Sequence, residues 1–309
     1  GGKTYTESVA ATGNWSVNVP AADLASLPDG AASVQASVSS ASGNNASATH
    51  AYRVDASAPT LIINTLASDD ILNATEAGSP LTISGTSTAE AGQTVTVTLN
   101  GATYTGNVQA DGSWNVSVPT SALGALTASQ YTVSATVNDK AGNPASTTHN
   151  LAVDLTVPVL TINTIAGDDI INNAEQLAGQ TISGTTTAEV GQTVTVSFNG
   201  QSWSATVGSG GNWSVFIPAQ QFAGLSDGSY TISATVTDQA GNPGNASRGV
   251  TLNGDVPTVT INTFAGDDVV SAAEHGSALI ISGTTTAPVG QTLTLTLNGK
   301  TYTTTVQTG

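Results

Sequence analysis

Thr193-Val-Thr-Val-Ser-Phe-Asn-Gly200 combines the alternation of a β-strand with the residues of a tight turn. Apolar and polar residues alternate, so Val194, Val196 and Phe198 share one face, as in a strand with one buried side. Asn199-Gly200 follows, and this pair favours the turn of a two-residue β-hairpin. The stretch therefore predicts two antiparallel strands with a core on one face.

The same alternation continues on both sides of this hairpin and gives an all-β domain. Trp203 and Trp213 fall on the apolar faces of the next two segments, so we expect both to point into the core. Helical periodicity is not found. The predicted strands are Leu160–Ile165, Thr181–Thr186, Thr193–Phe198, Ser202–Val207, Asn212–Ile217, Tyr230–Val236 and Ala246–Leu252. About seven antiparallel strands in roughly 100 residues are typical of an immunoglobulin-like β-sandwich without a disulfide.

Two aromatic residues test this fold prediction. Tyr230 opens the sixth strand after the turn that contains Asp227, and we expect its hydroxyl to hydrogen-bond to upstream backbone, as in a tyrosine corner. Asp227 and its equivalent Asp29 are interpreted as turn residues. Phe216 lies on the polar face of its strand, so we expect it to be exposed.

A period of 99 residues runs through the chain without insertion. A boundary before each repeated Pro predicts two complete domains, 58–156 and 157–255. Residues 1–57 are then the C-terminal half of a domain, residues 256–309 the N-terminal half of another, and we expect the sequence to be a window cut from a longer tandem array. The period relates Trp15, Trp114 and Trp213; Pro59, Pro158 and Pro257; and the pairs Asp69-Asp70, Asp168-Asp169 and Asp267-Asp268.

The composition excludes several classes of partner. The 309 residues include 21 Asp and Glu against five Lys and Arg, which gives a net charge of −16. Nucleic-acid binding depends on cations that displace counterions from phosphates, so nucleic acid is excluded as a partner, and so are anionic lipids. The apolar runs are shorter than the ~18 residues of a membrane helix. Cys is absent, so core packing or bound metal must stabilise the domains, and divalent cations are the expected partners.

The acidic residues recur in the loop after the first strand, at the end of the sixth strand and in the linkers. Antiparallel topology places these segments where consecutive domains meet, so we expect their carboxylates to converge at each joint. Clustered carboxylates repel one another unless a cation neutralises them, and Ca²⁺ takes six to eight oxygen ligands. The candidate calcium ligands are Asp55, Asp69, Asp70, Asn73, Glu76, Asp139, Asp154, Asp168, Asp169, Asn172, Glu175, Asp238, Asp255, Asp267, Asp268 and Glu274.

An alternative explanation of the same residues is turn chemistry. Asp and Asn side chains hydrogen-bond to nearby backbone in turns, and they keep a threonine-rich surface soluble. The equivalent positions His50, His149 and Arg248 on the last strand are interpreted as surface residues.

The motifs together resemble those of a known family. These are the Asp-x-x-x-Pro linkers, Gly-Asp-Asp-Ile-Ile-Asn-Asn-Ala-Glu at 167–175, Ile-Ser-Gly-Thr-Thr-Thr-Ala at 182–188 and Thr-Asp-Gln-Ala-Gly-Asn-Pro at 237–243. They are similar to the bacterial Ig-like repeats of giant non-fimbrial adhesins. The resemblance implies type I secretion, display at the cell surface, and calcium at interdomain joints that stiffens a rod. It also implies that the Asp-Asp pairs and the linker residues Asp55, Asp154 and Asp255 are the main ligands.

These observations predict an extracellular stalk that presents an adhesive region lying outside this sequence. Its expected partners are calcium, neighbouring repeats of the same chain and, through that outside region, a host-cell glycan or receptor. Catalysis is disfavoured because three His and regularly repeated acids do not form a catalytic constellation. Two alternatives stay open: direct glycan or receptor binding by the repeats, and assembly as a filament or surface-layer subunit.

Overall fold

The computed structural model describes residues 2–308, which form two compact units. The first unit runs to Val157 and includes Ala240–Asn242. The second comprises Pro158–Gln239 and the chain from Pro243 onward. Strands are the main secondary structure of both units, and the helices are single short turns. No helix among residues 2–308 is long and apolar enough to cross a lipid bilayer.

The first unit contains a terminal hairpin and a complete sandwich. The hairpin is preceded by one helical turn: α1 (Ala21–Leu24), β1 (Gly30–Ser39) and β2 (Asn45–Val54). The sandwich contains β3 (Leu61–Ile63), β4 (Ile71–Asn73), α2 (Ala74–Ala77), β5 (Leu81–Ser87), β6 (Thr94–Leu99), β7 (Ala102–Asn107), β8 (Ser113–Val118), α3 (Thr120–Leu123), β9 (Gln130–Asn138) and β10 (Pro144–Asp154).

Two sheets make up this sandwich, and the chain enters both of them before the second predicted strand. One sheet has the order β3-β5-β8, and the other has the order β4-β10-β9-β6-β7. The segment expected to be a simple loop after the first strand therefore contains a strand of its own, β4. It pairs in parallel with β10, with Ile71 opposite Ala152, whereas the other pairs are antiparallel. The Asp69-Asp70 turn is the point where the chain crosses from one sheet to the other.

The second unit repeats this architecture. Its five-stranded sheet has the order β11-β17-β16-β13-β14, and β12 pairs with β15. The predicted first strand is reduced to a bridge between Leu160 and Thr186 with flanking backbone hydrogen bonds. The elements are β11 (Ile170–Asn172), α4 (Asn173–Ala178), β12 (Gln180–Thr185), β13 (Thr193–Phe198), β14 (Gln201–Thr206), 3₁₀ turns at Ser209–Gly211 and Ala219–Gln221, β15 (Asn212–Ile217), β16 (Gly228–Thr237), β17 (Pro243–Asn253), and the hairpin β18 (Thr292–Leu297) and β19 (Lys300–Thr305).

The predicted strand faces are confirmed in the second unit. Val194, Val196 and Phe198 are buried, and Trp213 is only 3% exposed. Trp203 is half-buried at the rim of the same core, so its predicted burial is only partly correct. Edge strand β14 pairs with β13 on one side only, which leaves one flank of its side chains open to solvent.

The turns also follow the sequence prediction. Asn199 and Gly200 both adopt positive φ, as the predicted two-residue hairpin turn requires. The hydroxyl of Tyr230 donates to the carbonyl of Ser226 at 3.0 Å, which confirms the tyrosine corner. Phe216 is 54% exposed, as its place on the polar face predicts.

A glycine in the second strand allows the buried tryptophan to pack against the backbone. A Cβ on Gly184 would lie 1.9 Å from the carbonyl oxygen of Thr161 and 2.7 Å from the Trp213 ring. Gly85 has the same environment beneath Trp114. Only glycine at position 184 lets the backbone of this strand pack directly against both the Thr161 carbonyl and the Trp213 indole.

We expect Gly184→Ala to destabilise residues 157–255 by at least about 1–3 kcal/mol, because backbone atoms must shift to accommodate the methyl group. Gly249→Ala is the matched control, since a Cβ there meets no atom within 4 Å. Hydrogen exchange of the strand peptides measures the effect. Equal protection in the two variants would contradict the packing argument.

Candidate functional site

Each Asp-Asp pair closes the turn in which it lies. The amide of Leu66 donates to Asp70 Oδ1 at 2.8 Å, and the amide of Asp70 donates back to the Leu66 carbonyl at 2.7 Å. Asp70 has a φ of 67°, a left-handed conformation that Asp and Asn tolerate better than most residues. Asp69 accepts from the amide of Ile71. Equivalent bonds form at Asp168, Asp169, Asp267 and Asp268.

The second aspartate of each complete repeat also pairs with a basic residue on the last strand. His149 Nε2 lies 2.7 Å from Asp70 Oδ1. Arg248 donates to both carboxylate oxygens of Asp169, at 2.6 Å each. The interpretation of His149 and Arg248 as surface strand residues is therefore incomplete: both lie partly exposed on the last strand, but both also bind the acidic turn.

These contacts stabilise the ionised carboxylates. The Arg248 guanidinium, followed by the amide of Ile165, lowers the pKa of Asp169 to about 2. The amide of Leu66, followed by His149, lowers the pKa of Asp70. The charge of Asp169 is therefore balanced by a side chain of its own repeat.

The Asn and Glu of the acidic motif form a capping box at the start of a short helix. Asn73 accepts from the amide of Glu76, while Glu76 accepts from the amide of Asn73. Asn172 and Glu175 repeat this arrangement. In the third copy, the amide and hydroxyl of Ser271 donate to Glu274. Asn/Ser-x-x-Glu is a capping signature, so the spacing of these residues in the sequence already carries the signal for this cap.

The linker before the first complete repeat is held by the turn between β9 and β10. Asn143 Nδ2 donates to the backbone carbonyl of Asp55 at 3.2 Å and to Asp139 Oδ2 at 2.8 Å. Asp139 is 9% exposed, and its hydrogen bonds with Asn143, the side chain first, lower its pKa. One amide side chain thus bridges the Asp139 carboxylate and the backbone carbonyl of Asp55. The predicted convergence of carboxylates stays a prediction, because this contact involves the backbone of Asp55 and not its carboxylate.

Asp29 joins this linker group, although the sequence analysis gave it only a turn role. Its carboxylate accepts from the Ser57 hydroxyl and from the amide of Ala56 at 2.8 Å, and these bonds lower its pKa. The nearby charge of Asp139 opposes that shift. The signal that could have located Asp29 is its recurrence as Asp227, which accepts from the amide of Gly254. The intervening repeat has Ala128 at this position.

Asp154 occupies the next linker position. Its carboxylate accepts from the amide of Thr156, and its backbone carbonyl accepts from Asn242 Nδ2 at 3.0 Å. Asn242, which belongs to the first unit, also accepts from the amide of Ala74 at 2.7 Å. β4 and β10 pair Asn73 with Asp154, so the capping box lies level with the linker acid.

The remaining candidates lie in the second unit. Asp238 is 7% exposed at the end of β16. The amide of Asp255 donates to Asn253 Oδ1.

The linker group has the donor chemistry of a site for a hard cation. Asp29, Asp139 and the Asp55 carbonyl offer oxygen donors, the type that Ca²⁺ prefers. Asp70 and Asp169 fit a metal site less well, because His149 and Arg248 already engage them. Within residues 2–308 no group of three or more His, Cys, Asp or Glu side chains is arranged to hold a metal ion.

Comparisons with known proteins identify the sequence relationship. The model of a family described as bacterial Ig-like domain matches residues 64–155 and 156–255. A Ca²⁺-stabilized adhesin that helps an Antarctic bacterium reach out and bind ice is 36% identical, over 98% of this chain and 77% of that chain, with a TM-score of 0.44.

Two further solved structures are similar. A 1.5-MDa bacterial ice-binding adhesin is 33% identical, over 80% of this chain and 82% of that chain, with a TM-score of 0.40. A bacterial immunoglobulin-like domain from the M. primoryensis ice-binding adhesin is 40% identical, over 31% of this chain and 96% of that chain, with a TM-score of 0.26. No curated protein matches.

We expect acid to weaken the second complete repeat through Asp169. Its folded-state pKa of about 2 lies below its ordinary 3.8, so its stabilisation is present above pH 3.8 and is lost as the pH falls toward 2. Asp169→Asn should flatten the pH dependence of the thermal midpoint over this range. Asp168→Asn, which removes the preceding carboxylate, is the control and should not have this effect. Identical pH profiles for all three proteins would contradict this assignment.

Proposed function

The chain belongs to the bacterial Ig-like domain family, and from this premise we propose that it is part of the stalk of a bacterial surface adhesin. In this role two complete repeats, 58–156 and 157–255, act as spacers between further repeats. We place the protein outside the cell, exported by type I secretion. The proposal draws support from relatives that are themselves adhesins.

The observation that carries the proposal is the way the linker before the first complete repeat is secured. Asn143 donates to the Asp55 carbonyl, and Asp29 accepts from Ala56 and Ser57. Residues from both sides of the linker thus bind its backbone directly. Such contacts restrict the torsions of a linker, which is what a spacer requires and a flexible tether lacks.

We further propose that calcium stiffens these linkers. The carboxylates of Asp29 and Asp139 and the backbone carbonyl of Asp55 would hold the ion at the first linker. At the 99-residue period Asp154 and Asp238 are the sequence counterparts of Asp55 and Asp139, and Asp255, two residues before Pro257, is a further linker candidate. Bound calcium supplies positive charge that offsets the repulsion between Asp29 and Asp139. The secondary candidates are the capping residues and the first aspartate of each pair: Asn73, Glu76, Asn172, Glu175, Glu274, Asp69, Asp168 and Asp267. The second aspartates mainly close their own turns; these are Asp70, Asp169 and Asp268.

A catalytic role finds no support in the described residues. His149 is engaged by Asp70, and the recurrent acids are engaged by backbone amides, Asn143 or Arg248. These contacts serve the fold and the linkers, so we assign the acids to structure and cation binding.

Calcium is expected to raise the thermal midpoint of the chain and narrow its small-angle scattering distance distribution, and chelator should reverse both effects. Asp139→Asn should weaken calcium affinity about tenfold or more, because it removes a charged ligand while keeping a shape that fits Asn143. Asp111→Asn is the matched control, since Asp111 closes the turn before β8 by accepting from Ser113. The stiffening role would be refuted if neither calcium nor chelator changed the scattering and melting curves.

A spacer should bind no surface ligand itself. We expect the 309-residue chain to give no saturable signal on a glycan array or on host cells at micromolar concentration. Saturable binding that survives chelation would instead favour the alternative in which the repeats recognise a glycan or receptor.

A further inference from the structure

We propose that an Asp–base pair sets the force resistance of each complete repeat, because it lies beside the parallel pairing of the sheet-crossing strand (β4 or β11) with the last strand (β10 or β17). This inference rests on the proposed stalk function, since a stalk transmits tension from one repeat to the next. The pair is Asp70–His149 in residues 58–156 and Asp169–Arg248 in residues 157–255. We name it the clasp.

The topology places this pairing directly on the path of the force. Tension enters each repeat before its first strand and leaves after its last strand, β10 or β17. The first strand is short: three residues in β3 and a single bridge at Leu160 in the second unit. Once it yields, the load passes through the Asp-Asp turn into β4 or β11.

Parallel geometry determines how that load is resisted. β4 and β10 run in the same direction, and so do β11 and β17. Pulling the two ends apart drags one strand backward along the other, so the bonds that join them are strained together instead of opening one at a time. The contact spans only three residue pairs, and added bonds at its edge therefore have a large effect.

The clasp supplies those added bonds. In the first repeat the Asp70 carbonyl accepts from the amide of Ala152 at 2.9 Å, and the Asp70 carboxylate binds His149. Both bonds cross from the turn to β10 at the start of the parallel pairing. The turn is therefore fixed to the last strand by backbone and side chain together.

The second repeat has a stronger clasp. The Asp169 carbonyl accepts from the amide of Thr251 at 2.9 Å, and Arg248 binds both oxygens of the Asp169 carboxylate. Arg248 also donates to the Ile162 carbonyl at 3.1 Å and to Thr164 Oγ1 at 3.0 Å. One guanidinium thus connects the last strand to the first segment, the turn and the acid, whereas His149 contacts the acid alone. Bidentate Arg–carboxylate pairs are among the strongest hydrogen-bonded contacts in proteins.

Constant-force magnetic tweezers on the 309-residue chain test the proposal. Two unfolding steps of about 99 residues are expected, and the slower one should belong to residues 157–255. Arg248→His, which reproduces the clasp of the first repeat, should accelerate that step about tenfold, or about 1.4 kcal/mol of barrier. The reverse exchange, His149→Arg, should slow the other step.

A thermally matched control separates force resistance from ordinary stability. Ile232→Val removes buried volume from β16, which is connected to neither end of the repeat. For each variant, the change in the unfolding rate under force is divided by the decrease in thermal midpoint. This ratio should be smaller for Ile232→Val than for Arg248→His. The proposal would be overturned if Ile232→Val and Arg248→His changed the unfolding rate equally per degree of lowered thermal midpoint. It would also be overturned if neither Arg248→His nor His149→Arg changed the unfolding rate.

Repeating the measurement in chelator distinguishes this inference from calcium stiffening. The clasp consists of side chains within one repeat, so its effect should persist without calcium. The clasp exchanges could still change the unfolding rate when calcium changes neither the scattering nor the melting curve. That result would support the clasp and refute only calcium binding at the linker.

Discussion

In the two complete repeats, the carboxylate of the second aspartate of the Asp-Asp pair holds the turn at which the chain leaves one sheet and joins the other. It accepts from the amide four residues earlier and, in the complete repeats, from a base on the last strand. This crossing lets a single short segment contribute to both sheets. Without it the last strand would lack its parallel neighbour, and the core between the sheets would be open along that side.

The acidic residues of this chain serve two separate purposes that their spacing in the sequence does not reveal. Those in the crossing turn and capping box are bound by amides and bases of their own repeat. Asp29 and Asp139 instead secure the linker that contains Asp55, through Ala56, Ser57 and Asn143. Turn chemistry accounts for the hydrogen bonds of the motif acids, whereas cation binding at the linker is a proposal.

Repeats of one fold differ where a single residue changes a contact. Arg248 in place of His149 converts one contact to the acidic turn into contacts with the acid, Ile162 and Thr164. Ala128 removes the linker acid that Asp29 and Asp227 provide in the neighbouring copies. The two complete repeats therefore share a period and a fold, while such substitutions change the contacts within each repeat and at each linker.

The sequence by itself determined the repeat length, the inward faces of the strands, the Asn199-Gly200 turn and the corner at Tyr230, because these depend on residues close together in the chain. Only the tertiary structure decided that the segment after the first strand forms a strand of the other sheet, and that Asp70 and Asp169 each meet a base 79 residues away. Partners so distant are brought together by the register of β4 on β10 and of β11 on β17. That register follows from packing across the whole sandwich, which local periodicity does not encode.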